Sequence, residues 1–133
     1  MTAIPTQAVH PLRCVPGLRA AGPGIQFGTY VSSTATDEHL QYLQQLGVEW
    51  AMVTGIEPAD HNADFYRRLN ERFAPYGIQI YRIANHSVHN VPEITLNLPG
   101  RDEKVAQLCA FIRALGEAGI YYNTYAHMGN GIW

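Results

Sequence analysis

A parallel α/β fold is what this sequence predicts, and three observations predict it. From Ile25 onward, short β-rich runs alternate with longer stretches of helical periodicity. Gly47, Gly77 and Gly119 each close a helical pattern directly before a β-branched residue and a new run, the place where a left-handed helix stop is wanted. Finally, parallel strands can only be joined by crossovers, and a crossover helix covers the sheet face. Together these give about four parallel strands in sequential order with three helices on the outer face. That is the first half of a (β/α)8 TIM barrel, whose eight units need about 250 residues against the 133 present. A flavodoxin-like doubly wound sheet is the competing arrangement. The first strand-to-helix turn carries no Gly-x-Gly-x-x-Gly or phosphate-loop pattern, which weakens a nucleotide-binding version of it.

The elements follow in order. Residues 1–24 contain Pro5, Pro11, Pro16 and Pro23 and lack periodicity, so they are read as an irregular N-terminal arm; residues 25–133 form the barrel-like domain. The first strand is expected over residues 25–31. Thr36 then offers a hydroxyl to a free backbone N–H of the next helix, and Asp37 and Glu38 suit its dipole. Leu40, Leu43 and Leu46 lie along one helical face. The second strand is expected over 48–54, followed by a loop in which Pro58 and the cap candidate Asp60 precede Phe65, Leu69 and Phe73 at spacing four. The third strand is expected over 78–83. A long loop, residues 84–101, leads to the strongest helical pattern, with Val105, Leu108, Cys109, Ile112 and Leu115 on one face. The fourth strand is expected over 120–125. The chain stops at Trp133 soon after it, as a chain cut within a longer protein would.

Composition narrows the function. Nine Lys and Arg against eleven Asp and Glu, with no basic run, argue against nucleic acid or an anionic membrane as partner. Hydrophobic residues at 47% with charged residues at 15% favour a buried core over disorder. No apolar run approaches the roughly 18 residues of a membrane span, and no positively charged start precedes an apolar stretch as in a secretory leader. Cys14 and Cys109 are isolated from each other and from any zinc-type pair, which suits a reducing, cytoplasmic setting.

In parallel α/β folds the ligand site lies at the carboxyl ends of the strands. Glu57, Asp60 and His61 follow the second strand, Asn85, His86 and His89 the third, and His127, Asn130 and Trp133 the fourth. Asp60 is read first as a helix cap. His86 and His89 can handle protons or bind a metal, although a spacing of three in a loop falls short of the three ligands a metal site wants. No metal ligand is therefore assigned. Tyr125 and Trp133 can wall a polar pocket. Arg101 and Asp102 stand at a helix start, where capping and dipole compensation compete with a binding role. The substrate-binding candidates are Asn85, His86, His89, Arg101, Tyr125, His127 and Trp133, with no catalytic residue assigned.

Residues 96–103, Leu-Asn-Leu-Pro-Gly-Arg-Asp-Glu, resemble the Leu-x-Leu-Pro-Gly-Arg-Asp-Glu motif of mannonate dehydratases, relatives of the xylose-isomerase-like barrels. The likeness continues through Ile112, Arg113, Leu115, Ala118, Gly119 and Ile120 into a tyrosine-containing segment ahead of a Trp, and so covers about residues 93–133. The resemblance implies a lyase of hexuronate catabolism that removes water from D-mannonate to give 2-keto-3-deoxy-D-gluconate with a divalent metal, usually Mn²⁺. A proton next to a carboxylate is weakly acidic, so such chemistry uses a metal to stabilise the enediolate, a base to take the proton and an acid to assist loss of the hydroxyl.

The resemblance also implies metal ligands, a Cys, two His and an Asp, drawn mainly from later strands that this chain does not contain. The 133-residue chain alone is then expected to be inactive and to contribute half of a sugar-acid pocket. Where the family commonly has Tyr-Asn-Phe-Met-Pro, this chain has Tyr125, Ala126, His127, Met128 and Gly129, which opens the substrate question. A sugar isomerase or epimerase relative is one alternative. A non-catalytic half-barrel that binds a polyol, a second copy or a partner chain is another, since a half-barrel exposes sheet edges.

Overall fold

Parallel strands and crossover helices are both present in the computed structural model, which describes residues 25–125. The order is β1 (Gly28–Ser32), α1 (Asp37–Gln45), β2 (Trp50–Thr54), α2 (Ala63–Phe73), β3 (Gln79–Ile83), α3 (Pro92–Thr95) and α4 (Arg101–Glu117), with short 3₁₀ turns at Pro58–Asp60, Ala74–Tyr76 and His86–Val88. The sheet runs β1-β2-β3, with both pairs parallel. The expected arm, residues 1–24, and the last expected site residues, His127 and Trp133, lie outside the described residues.

One helix layer covers one face of the sheet. Leu40 and Leu43 of α1, Tyr66, Leu69 and Phe73 of α2, and Phe111 and Leu115 of α4 share a single apolar cluster with Val31, Ala51, Val53 and Ile83. Met52 is buried as well but stands outside that cluster; as the neighbour of Ala51 and Val53 in an extended strand, it faces the opposite side.

The helix boundaries follow local chemistry. The Thr36 hydroxyl accepts from the His39 backbone N–H at 3.2 Å, the expected cap. Gly47 and Gly77 adopt φ of +74° and +71°, a conformation that costs a residue with a Cβ. Near the C-terminal strand ends, Ser33 Oγ donates to the Gly55 carbonyl at 2.5 Å, and the Arg72 guanidinium donates to the carbonyls of Ser33 and Ala35. The loop after β1 is thereby tied to β2 and to the end of α2.

Four expectations are corrected. Residues 120–125 form no strand: Ile120 enters the core, and the Tyr122 ring lies 5.8 Å from that of Tyr81. Side-chain packing there replaces a ladder, since an edge strand has only one neighbour and parallel pairing is the weaker kind. The long loop contains α3, started by Pro92 in its first turn, which makes four α-helices among the described residues where three are expected. Asp60 ends a 3₁₀ turn, so α2 begins later and is capped by Asn62, whose Oδ1 accepts from the Phe65 N–H at 3.0 Å.

The fourth correction concerns α4, which buries Phe111 and Leu115, with Leu108 half-buried, and leaves Val105 and Ile112 39% and 46% exposed. Leu108, Phe111 and Leu115 form an equally regular stripe, and the larger aromatic surface decides which stripe turns inward. Cys109 is half-buried and free of any disulfide. Among the described residues, no helix is long and apolar enough to cross a membrane.

Candidate functional site

The site begins with an irregularity in β3. Ala51 pairs with Ile80, but the next residue, Met52, pairs with Arg82, so Tyr81 is an extra residue on that strand. Such a bulge resets the alternation of side chains. Ile80 and Ile83 both reach the helix-side core, although three residues apart, and Arg82 is turned to the face it shares with Met52.

A cavity of about 340 Å³ opens there and runs round the end of β3. Tyr30, Met52 and Arg82 supply the sheet side. Asn85, His86 and His89 come from the segment after β3, Asn123, Thr124 and Tyr125 from the segment after α4, and Leu108 and Phe111 from α4 itself. Asn85 is buried and holds its turn, its Oδ1 accepting from the Ser87 N–H at 3.0 Å and the Ser87 hydroxyl at 2.5 Å. That turn, His86–Val88, sets the positions of both histidines.

Asn85, His86, His89 and Tyr125 line one cavity; the first three follow the end of β3, whereas Tyr125 reaches it from a segment that forms no strand. Arg101 does not line it. It lies exposed at the start of α4, with Nε donating to Asp102 Oδ1 at 2.8 Å and an Nη to Asn97 Oδ1 at 2.7 Å, and its structural role is local bonding around the helix start. Arg82, Tyr30, Asn123 and Thr124 were not foreseen. A lone Arg inside an apolar run was the available signal for Arg82, but strict alternation puts it on the same face as Ile80, and the bulge leaves no mark in the sequence.

Behind the Phe111 wall, His61 Nδ1 lies 2.8 Å from the Tyr66 hydroxyl, and its ring meets Phe111 edge-on with centroids 5.7 Å apart. Burial lowers the His61 pKa from its ordinary 6.5; Asp60 opposes the shift, and nearby His86 adds to it. Burial likewise raises the Tyr66 pKa. These groups form a largely neutral, packed support for the cavity wall.

Among the described residues no group of three or more His, Cys, Asp or Glu is placed to hold a metal ion, and fewer than three protein ligands make no catalytic site of the usual kind. Among the described residues the cavity offers one guanidinium, two imidazoles, and amide and hydroxyl groups, with no carboxylate side chain on its walls. Such a lining suits an oxyanion that also carries hydroxyl groups. No family model, curated protein or solved structure matches the chain.

Proposed function

We propose that this chain is the N-terminal, substrate-holding part of a mannonate-dehydratase-like barrel and that its cavity takes a sugar acid in a cytoplasmic catabolic reaction. The observation that carries the reading is that Asn85, His86, His89 and Tyr125 converge on one cavity at the carboxyl end of a sequential parallel sheet, where this class of fold binds its ligands. The Pro99-Gly100-Arg101-Asp102-Glu103 stretch supports the family choice.

In this role the amides and hydroxyls of the cavity orient the polyol, and His86 and His89 offer ring nitrogens that can donate to or accept from it. The apolar wall of Leu108 and Phe111 limits water on one side. Dehydration itself belongs to a complete barrel, with metal ligands from beyond these strands.

The test is calorimetric titration of the 133-residue chain with D-mannonate, D-gluconate and D-mannitol, together with an assay for 2-keto-3-deoxy acid with added Mn²⁺. Binding of an aldonate without turnover is expected. Absence of aldonate binding at millimolar concentrations would sink the reading, and Mn²⁺-dependent turnover lost in His86→Ala or His127→Ala would place the catalytic centre in this half.

A second reading, a half-barrel that pairs with another copy or chain, is favoured by one feature. Ile25, Phe27 and Tyr30, in or just before β1, are 91%, 63% and 70% exposed, and among the described residues β1 is an edge strand. Sedimentation equilibrium at micromolar concentration distinguishes a monomer from such a pair.

A further inference from the structure

We propose that Arg82 is the anchor for a ligand's carboxylate, an assignment that rests on the sugar-acid reading for the rest of the ligand. The bulge at Tyr81 supplies the first argument. With regular pairing, Arg82 would follow Ile80 onto the helix-side face and put a guanidinium into a layer of Leu, Ile and Phe side chains. The extra residue instead sets Arg82 opposite Met52 and on the cavity. Bulges recur where a side chain has to be re-aimed at a site.

Charge supplies the second. All eleven Asp and Glu side chains of the chain fall between residues 25 and 125, and none lines the cavity. The ion pairs of Arg67, Arg72 and Arg101 involve Asp64, Asp37 and Asp102, and Arg82 has no such partner among the described residues. Its Nε is shut off from solvent and has no acceptor there. A guanidinium carries a fixed positive charge, so the cavity wall presents a cation that none of the chain's own Asp or Glu side chains pairs with.

Geometry supplies the third. The flat fork of Arg fits the two oxygens of a carboxylate, while Asn123, Thr124 and Tyr30 on the same cavity are suited to hydroxyl groups along a carbon chain. A neutral polyol would satisfy the amides and leave the cation unmatched.

The Arg82 Nε–H resonance of the 133-residue chain reports on this directly by NMR during titration with D-mannonate, acetate, inorganic phosphate and D-mannitol. D-mannonate is expected to shift it and mannitol to leave it in place. In calorimetry, Arg82→Gln should weaken D-mannonate binding about ten- to a hundredfold, the scale of a lost charged hydrogen bond. Arg82→Lys should fall between, with mannitol unaffected.

D-mannonate binding equally tight in folded Arg82→Gln would overturn the anchor and leave the sugar-acid reading standing. A shift with acetate but no binding of D-mannonate would keep the anchor and overturn that reading. A response to phosphate alone would overturn the carboxylate assignment, and no response to any anion would overturn the anchor. The wild-type resonance decides these last outcomes even where Arg82→Gln does not fold.

Discussion

His61 and Tyr66, five residues apart, meet through a 2.8 Å contact between Nδ1 and the phenol hydroxyl, and the His61 and Tyr66 rings both pack edge-on against Phe111. The contact links the loop after β2, α2 and α4 at one point. Because Phe111 also lines the cavity, the wall facing the ligand rests on a polar pair enclosed by aromatic rings. Enclosure makes the neutral imidazole the favoured form.

Stability should therefore fall on mild acidification. The His61 pKa is lowered in the folded chain from its ordinary 6.5, chiefly by burial, so below pH 6.5 the unfolded chain binds a proton that the folded chain resists. Stability is fully present above 6.5 and is lost as the pH drops through the folded pKa. Urea midpoints between pH 7.5 and 5 should fall for the wild type and fall less for His61→Gln, whose amide is neutral throughout. The difference between the two curves isolates His61 from the other histidines, and parallel curves would rule the effect out.

On α4, two adjacent residues should separate by several kcal/mol. Phe111 is only 5% exposed and belongs to the core, whereas Ile112 is 46% exposed and stands outside it. Phe111→Ala should cost roughly 3–5 kcal/mol, the range for truncating a buried aromatic. Ile112→Ala should stay within about 0.5 kcal/mol, as surface changes do. Denaturant unfolding of both variants checks this; a larger loss at Ile112 than at Phe111 would mean that the sequence stripe of Val105 and Ile112 is the buried one.

The two stripes of α4 show where sequence reasoning reaches its limit. Glycine stops and caps act within a few residues, so Thr36, Gly47 and Gly77 are legible in the sequence alone. The convergence of Asn85, His86 and His89 was legible as well, because all follow one strand end. Choosing between equally periodic stripes depends on what faces them from α2 and β3, which local spacing does not encode. Arg82 was hidden for the same kind of reason. A bulge is a feature of pairing between two strands, and in the sequence of one strand it looks like an ordinary residue.

The cap of α2 can be tested in a similar way. Asn62 Oδ1 accepts from the Phe65 N–H, while Asp60 sits in the preceding 3₁₀ turn. Asn62→Ala should destabilise by roughly 1 kcal/mol, as loss of a cap does, and Asp60→Ala by no more than about 0.5 kcal/mol. Thermal unfolding at fixed pH measures both, and a larger loss at Asp60 would return the cap to the residue that spacing alone suggested.

The last prediction concerns the sign of a stability change at Arg82. A side chain retained for structure makes the protein less stable when removed. Arg82 instead has a solvent-shielded Nε with no acceptor and no ion pair among the described residues, and an unsatisfied buried donor is a cost to the ligand-free fold. Methionine keeps much of the unbranched stem, packs readily into irregular gaps and has no donor to leave unpaired. Arg82→Met should therefore stabilise the ligand-free chain, by about 1 kcal/mol on the scale of an unsatisfied polar group. Adding D-mannonate should narrow or reverse the difference, because only the Arg form gains a carboxylate partner and a bound ligand stabilises the state it binds. Denaturant midpoints of both proteins with and without D-mannonate measure the two changes together. Loss of stability in Arg82→Met without ligand would mark the guanidinium as a structural element of the sheet face.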